Sequence, residues 1–352
     1  RRRSLVGRRT ADYRAQKSAA LQALAFAERA GDAVQRLEAQ RLLADALGAL
    51  GDVETGRALA RDGLAEARAR GLRRVEGVFL NALSLIASMQ DDQVEGLALD
   101  QQDLPIWREL GDPQGETIAL GNVGADWLWF GEFTQARQHL EAALRLSRMV
   151  GARQLECSPL CNLAQLALWQ GDATRAREQA RAALEVSVAV QAADFEAGAL
   201  YRLGEAELAL GQHEAAAAAY ERATTVARAI GHGLQYDAAS GLARAALARD
   251  DVAGAIVFVE ALLARRADGS AFEGADSKLI LFTCHRVLAR AGDLRAAELL
   301  ASAHAELQAR AAAISDSALR RSFLSNVPHH REIEATWRGS GSSLSSQTHR
   351  EA

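Results

Sequence analysis

The side chains of this sequence that suit metal binding or nucleophilic chemistry are three cysteines and eight histidines. Cys157 and Cys161 are four residues apart, a spacing that places both on one side of a helix, and Cys284 precedes His285. A structural zinc site takes about four such ligands within tetrahedral reach. The sequence has no group of four such ligands at the spacing of a zinc site. We therefore interpret the cysteines as small side chains buried at helix contacts and expect no metal site. We assign the adjacent His329 and His330 no metal or catalytic role.

Motifs for nucleotide chemistry are absent from the sequence. A phosphate-binding loop needs a glycine-rich turn followed by a lysine, and neither Lys17 in RAQKSAAL nor Lys278 in GADSKLIL fits. The sequence GHG at 231–233 lacks the third glycine and the preceding strand of a dinucleotide site, and no GxSxG elbow occurs. We therefore expect no enzyme activity and no cofactor within these residues.

Composition indicates a folded cytoplasmic protein. Hydrophobic residues make up 49%, charged residues 24%, and the formal net charge is −4. This charge gives the chain no drive toward nucleic acid or an anionic membrane, and no stretch is apolar enough to span a bilayer. An odd number of cysteines favours a reducing compartment. Because the chain opens on Arg1 without a methionine, we expect a piece of a longer polypeptide, with residues 1–11 as a linker remnant.

The elements that position these side chains are marked by regularly spaced glycines. Gly31, Gly71, Gly111 and Gly151 are 40 residues apart, and a second series is offset by 20: Gly51, Gly131, Gly171 and Gly211. The intervening segments have apolar residues at helical spacing, and Asp follows several of the glycines, where it can cap the next helix. A fixed period of this length indicates stacked pairs of helices.

The period predicts the domain organisation. We expect an all-α, right-handed superhelical solenoid of about seven antiparallel helix pairs over 12–313, with an N-terminal half repeat at 12–30. The predicted pairs are 32–70, 73–110, 114–150, 152–190, 193–230, 233–266 and 276–313. A longer loop interrupts the rhythm at 267–275. Residues 314–338 are expected to form a helical cap that seals the end of the stack, and 339–352, rich in Ser and Gly, a disordered tail.

Residues 200–223 carry a family signature. Its positions are Leu200, Leu203, Gly204, Gly211, Ala216, Tyr220 and Ala223. In spacing and residue type this resembles the tetratricopeptide repeat, and the same spacing recurs over 120–143 and 160–183. The 40-residue unit is similar to the long-helix variant of bacterial signalling ATPases and maltose-type transcription activators.

The resemblance implies a binding groove, because the first helix of each tetratricopeptide pair lines the concave face. Asn122, Asn162 and Arg202 then occupy one equivalent position in three successive units. The neighbouring groove positions belong to Gln165, Tyr201, Glu205 and Arg244. Trp129 and Trp169, also one period apart, are either ligand contacts or packing between repeats. The alternative for the polar set is that these are ordinary solvated helix residues.

The resemblance also implies a non-catalytic sensor or interaction module. We predict the C-terminal regulatory arm of a bacterial signal-transduction ATPase, whose partner is a protein, a peptide or the upstream ATPase domain of the same chain. A small-molecule effector is a further candidate ligand. Two alternatives stay open: a freestanding scaffold that binds partner peptides, and the effector-sensing part of a transcriptional activator with an upstream DNA-binding module.

Overall fold

A computed structural model describes residues 5–90, 92–267, 272 and 274–348 of the chain. These residues form seventeen α-helices and no strand. The first nine are α1 (Leu5–Ala30), α2 (Ala33–Ala49), α3 (Val53–Ala69), α4 (Arg73–Met89), α5 (Gln93–Glu109), α6 (Pro113–Trp129), α7 (Phe133–Met149), α8 (Cys157–Trp169) and α9 (Ala173–Ala189). The others are α10 (Ala193–Ala209), α11 (His213–Ile230), α12 (Leu234–Ala248), α13 (Val252–Ala267), α14 (Ser277–Arg290), α15 (Arg295–Ala313), α16 (Ser317–Ser325) and α17 (Pro328–Thr348).

The turns between helices follow from the glycine spacing. Every glycine of the two series takes a positive φ, for example 68° at Gly31, which lets the chain reverse within two or three residues. Asp32 then accepts hydrogen bonds from the amides of Val34 and Gln35 and so caps α2. Where the series lacks a glycine, Gln191 (φ 56°) and Asp250 (φ 60°) adopt the same left-handed conformation. The rhythm therefore continues through both positions.

Consecutive helices pack because small residues face large ones. The ring of Tyr220, fully buried on α11, lies between Gly204 of α10 and Gly241 of α12. A Cβ atom on Gly204 would come within 2.6 Å of this ring, and one on Gly241 within 2.5 Å. This close approach explains the small–large pattern of the repeat signature, since only glycine leaves room for the tyrosine at both places.

The chain divides into two compact units. The first contains Arg1–Trp127, Gln135–Pro159 and Ala229–Gly231, and its core includes Leu37, Phe79 and Ile106. The second contains Leu128–Thr134, Leu160–Arg228 and His232–Ala352, with Leu200, Tyr220 and Leu242 in its core. Among the described residues, no helix combines the length and the apolar character that crossing a lipid bilayer requires.

The C-terminal segment packs deep within the second unit. Phe323 of α16 is fully buried, with its ring centroid 4.5 Å from that of Trp129. Asn326 donates a hydrogen bond of 3.2 Å to the carbonyl of Gly131, 195 residues earlier. The segment forms α16 and α17. Its position differs from the predicted cap at the end of the stack, because an aromatic and an amide side chain dock it beside Trp129 as well as beside α15.

The chain ends also differ from the predictions. Residues 5–11 of the expected linker belong to α1, since their apolar and Arg-rich sequence continues the helix of the half repeat. Residues 339–348 of the expected disordered tail continue α17, and 349–352 lie outside the described residues. Trp337 of α17 stacks on His304, and Arg338 pairs with Glu334, so the helix is already nucleated when the Ser-rich stretch begins.

Candidate ligand site in the second unit

A cavity of about 520 Å³ opens in the second unit. It is formed where the first helices of successive pairs, α8, α10, α12 and α14, lie beside α17. The repeat period aligns its lining, since Gln165 and Glu205 are one unit apart. The lining residues are Gln165, Leu168, Trp169, Tyr201, Arg202, Glu205, Leu208, Ala209, Leu234, Asp237, Arg244, Gly274, Asp276, Leu279, Phe282, Thr283, Arg286, Pro328, His329 and Glu332.

A fixed ion pair lies in the wall of this cavity. Arg244 donates to both carboxylate oxygens of Glu205, at 3.1 and 2.6 Å, and the Tyr220 hydroxyl donates at 2.5 Å to the same carboxylate. Burial alone would raise the pKa of Glu205, but the charge and hydrogen bonds of Arg244, with the Tyr220 hydroxyl, hold it below its usual value. Both charges therefore persist at neutral pH and satisfy each other.

Arg202 is differently placed. Its guanidinium lies over the ring of Tyr201, 5.0 Å from the centroid, and its side chain is half-buried. Within the described part of the chain it forms no salt bridge. Asp237, whose carboxyl group interacts electrostatically with Arg202, is buried, and this burial with the charge of Asp276 raises the pKa of Asp237 to about 7. Arg202 thus presents a cation to the cavity that its neighbours compensate only in part.

The start of α14 and the start of α17 meet at the other side of the cavity. Asp276 caps α14 by accepting from the amide of Leu279, and its backbone N–H donates to Asp237 at 3.0 Å. Lys278 Nζ lies 3.1 Å from its Oδ1 and His329 Nε2 lies 3.0 Å from its Oδ2. Burial works to raise the pKa of Asp276, but the charges of Lys278 and His329 hold it well below the usual range.

The structure brings together six of the nine residues predicted for the groove. Those that line the cavity are Gln165, Trp169, Tyr201, Arg202, Glu205 and Arg244. Of the row Asn122, Asn162 and Arg202, only Arg202 lies there. Asn122 belongs to the first unit, where it donates to Asp100 at 3.5 Å, and Asn162 is half-buried on α8 outside the lining.

The two tryptophans have aromatic neighbours. The ring of Trp129 packs against Phe323 and, edge-on, against Phe130, with ring centroids 4.9 Å apart in the second contact. Trp129 therefore belongs to the packed interior of the second unit. Trp169 lies 6.1 Å from both Phe133 and His329 and also lines the cavity. Trp169 is therefore the tryptophan that a ligand in the cavity would meet.

Sequence reasoning missed the acidic and histidine residues of the cavity. Asp237 lies on α12, outside the three copies of the repeat signature, and Asp276 follows the loop after α13. His329 and Glu332 come from α17, which was expected elsewhere. An aspartate before an amphipathic helix is a recognisable capping signal, and it was the only sequence feature that pointed to Asp276.

A separate buried set of acidic residues lies in the first unit. Asp100 of α5 is 1% exposed and accepts hydrogen bonds from Ser84 at 2.6 Å and from Asn122. Burial raises the pKa of Asp100 to about 6. Burial, the charge of Asp100 and the hydrogen bond between the two carboxyls raise the pKa of Asp126 to about 9. The two groups therefore share one proton at neutral pH.

Comparison with known proteins supports the fold. Residues 197–230 match the model of the tetratricopeptide repeat. A Rap protein complexed with Competence and Sporulation Factor has a similar structure, with a TM-score of 0.60 at 13% identity over 93% of this chain and 98% of that one. A Rap conjugation gene regulator of plasmid pLS20, complexed with a Phr peptide, gives 0.57 at 14% identity over 83% and 80%.

A signalling ATPase gives a further similarity. The Signal Transduction ATPase with Numerous Domains from Pyrococcus horikoshii, which has a tetratricopeptide repeat sensor, gives a TM-score of 0.52 at 18% identity. The alignment covers 68% of this chain and 38% of that protein. Comparison with curated proteins gives no match. The predicted all-α repeat solenoid and its resemblance to tetratricopeptide repeats are confirmed.

Proposed function

We propose that this tetratricopeptide-like solenoid is a non-catalytic interaction module that binds an extended peptide segment of a protein partner in the cavity of its second unit. The observation that carries the proposal is Arg202, a half-buried cation at the cavity wall without a salt bridge in the described structure. A carboxylate of the peptide, from an acidic side chain or the C-terminus, would accept hydrogen bonds from the guanidinium of Arg202.

Two pairs of oppositely charged groups in the wall offset each other. Glu205 and Arg244 neutralise each other, so their pair neither attracts nor repels a peptide strongly. Arg286 and Glu332 lie 3.8 Å apart and also offset each other. Arg202 is the cation of the wall with which a ligand carboxylate can pair. Tyr201 and Trp169 supply apolar surface beside it. An acidic residue next to an apolar one is the peptide pattern that fits.

The dimensions of the cavity support a peptide as the ligand. A volume of about 520 Å³ holds two or three side chains, and it falls within the range of about 300–1,000 Å³ for small-ligand sites. The two Rap proteins of similar fold were solved with a peptide or signalling factor bound. A small-molecule effector would fit the same volume, and the experiment below separates it from a peptide.

An array of immobilised 12-residue peptides, probed with the labelled chain, tests the proposal. We expect binders enriched in Asp and Glu, and we expect Arg202→Ala to weaken their binding by about tenfold, since a charge-assisted hydrogen bond to a half-buried group is lost. Arg222→Ala, which removes an exposed arginine of α11 in the same unit, is the matched control. Equal binding by the two variants would refute the assignment of Arg202, and an array without binders would refute the peptide.

We further propose that the module is the C-terminal arm of a cytoplasmic signal-transduction ATPase. The support is the similarity in fold to part of the Pyrococcus protein, which has a tetratricopeptide repeat sensor, and the resemblance of the 40-residue unit to the long-helix repeats of bacterial signalling ATPases. Ligand binding would regulate the ATPase only if the ligand prefers one of its two states. Reading the gene upstream of Arg1 tests this: a GxxxxGK[ST] loop is expected, and its absence would exclude the ATPase.

A further inference from the structure

We propose that Asp276, His329 and His330 form a binding site for a divalent transition-metal ion at the edge of the cavity. One ring nitrogen of each histidine and a carboxylate oxygen of Asp276 all lie within 4.8 Å of one another. In a tetrahedral zinc site with bonds of about 2.0–2.1 Å, neighbouring ligand atoms are about 3.3 Å apart. Small side-chain rotations therefore bring the three groups into coordinating positions. The site stands on these contacts and is independent of the peptide proposal.

The orientation of His329 favours an ion over a simple hydrogen bond. Its Nε2 lies 3.0 Å from Oδ2 of Asp276, yet the two atoms do not meet with hydrogen-bond geometry. Within the described structure this buried nitrogen has no other hydrogen-bond partner. Nε2 of His329 and Oδ2 of Asp276 already face each other, and a metal ion between them would bind to both.

The second histidine is held in the way that metal ligands are held. Nδ1 of His330 lies 2.9 Å from the carbonyl of Phe323. A carbonyl only accepts, so Nδ1 carries the proton and Nε2 keeps a free lone pair. A hydrogen bond from the distal ring nitrogen to a backbone carbonyl is a common support for a coordinating histidine. His330 is 4% exposed, and this anchor fixes its ring.

The donor set and its charges select the ion. Two imidazoles and one carboxylate suit Zn²⁺, Co²⁺ or Ni²⁺ better than Mg²⁺ or Ca²⁺, which prefer oxygen ligands. Lys278 occupies Oδ1 of Asp276 and leaves Oδ2 for the ion. The positive charge of Lys278 weakens cation binding. The carboxylate of Asp237, which accepts a hydrogen bond from the backbone amide of Asp276, attracts the cation and offsets part of this effect. We therefore expect micromolar rather than nanomolar affinity.

The position of the site gives it two consequences. The ion would join the start of α14 to the start of α17 and so hold the C-terminal helices in the second unit. Asp276 and His329 also line the cavity. An ion held by the three side chains would therefore have a fourth coordination position open to the cavity, for water or for a ligand carboxylate. Metal binding should then raise the thermal midpoint of the chain, and above the dissociation constant the rise should grow with the logarithm of the free ion concentration.

Titration of the untagged chain with Zn²⁺, after removal of metal with EDTA, tests the site by calorimetry. Visible absorption of bound Co²⁺ reports the coordination geometry. We expect one ion per chain and a thermal midpoint raised by zinc. His329→Gln should weaken zinc binding at least about tenfold, because loss of a ligand costs no less than loss of its supporting partner.

His304→Gln is the matched control, since His304 is also mostly buried and lies 3.1 Å from a carboxylate, that of Glu334. It should bind zinc like the unmodified chain. Circular dichroism establishes that each variant is folded, and His329→Gln is used because His330 packs against Phe323 and its loss would disturb the core. Absence of zinc binding at about 100 µM, or equal binding by the two variants, would overturn the proposal.

Discussion

The buried carboxyl pair of the first unit gives the sharpest prediction about stability. Asp126 is 7% exposed and keeps its proton up to a pKa of about 9, whereas the unfolded chain releases it near the ordinary value of 3.8. The folded state then binds more protons than the unfolded state between these values, so the free energy of unfolding falls as pH rises through this window. Asp126→Asn removes the ionisable group and keeps an N–H donor toward Asp100.

The magnitude follows from the two pKa values. At pH 7 the difference between the solution pH and the unfolded pKa is about 3 units, which corresponds to about 4 kcal/mol at 1.36 kcal/mol per unit. Because Asp100 shares the proton, the gain on substitution should be nearer about 2 kcal/mol. For a chain of 352 residues, whose unfolding entropy is about 0.7 kcal/mol per degree, that is a rise in thermal midpoint of about 3 °C at pH 7, with little change near pH 4.

Thermal unfolding followed by circular dichroism between about pH 4 and pH 9 measures this effect. Asp62→Asn is the control, because Asp62 is an exposed aspartate of the same unit and its loss leaves the buried pair intact. The unmodified chain and the control should lose stability as pH rises, while Asp126→Asn should show a flatter profile. Parallel pH profiles for the unmodified chain and Asp126→Asn would refute the shared proton.

Three further predictions follow from packing and backbone geometry. Phe323→Ala should expose α16 and α17 to proteolysis and cost about 3–5 kcal/mol, because it removes the buried ring that stacks on Trp129; unchanged cleavage would contradict the docking. Gly204→Ala should destabilise the chain by about 1–3 kcal/mol in urea unfolding, since its Cβ would lie 2.6 Å from Tyr220; a neutral effect would mean that the ring moves freely. Gln191→Gly should stabilise by about 0.5–1 kcal/mol through relief of its positive φ, whereas a loss of stability would show that the side chain matters more than the strain.

The repeat architecture was predictable because its signals are local. The spacing of Gly31 and its equivalents specifies where the chain reverses, and helical spacing of apolar residues specifies what lies between. The same rule accounts for Gln191 and Asp250, which occupy the left-handed position in place of glycine. Six of the nine residues predicted for a groove line one cavity, since a solenoid aligns equivalent positions of successive units.

Long-range contacts were not predictable in the same way. Asp100 of α5 pairs with Asp126 of α6, and no sequence rule predicts which residue of a neighbouring helix a buried carboxyl group contacts. Likewise His329 meets Asp276 only because α17 follows a path set by Phe323 and Trp129. Such a path depends on packing between distant segments, which no period in the sequence encodes.

Hydrogen–deuterium exchange with and without the tightest peptide from the array tests the central claim most directly. If the cavity of the second unit is the ligand site, the amides of α10, α12 and the start of α14 should become protected on binding. The same peptide should give no protection to the Arg202→Ala variant at equal concentration. Protection confined to helices of the first unit, or protection that survives in Arg202→Ala, would contradict the account.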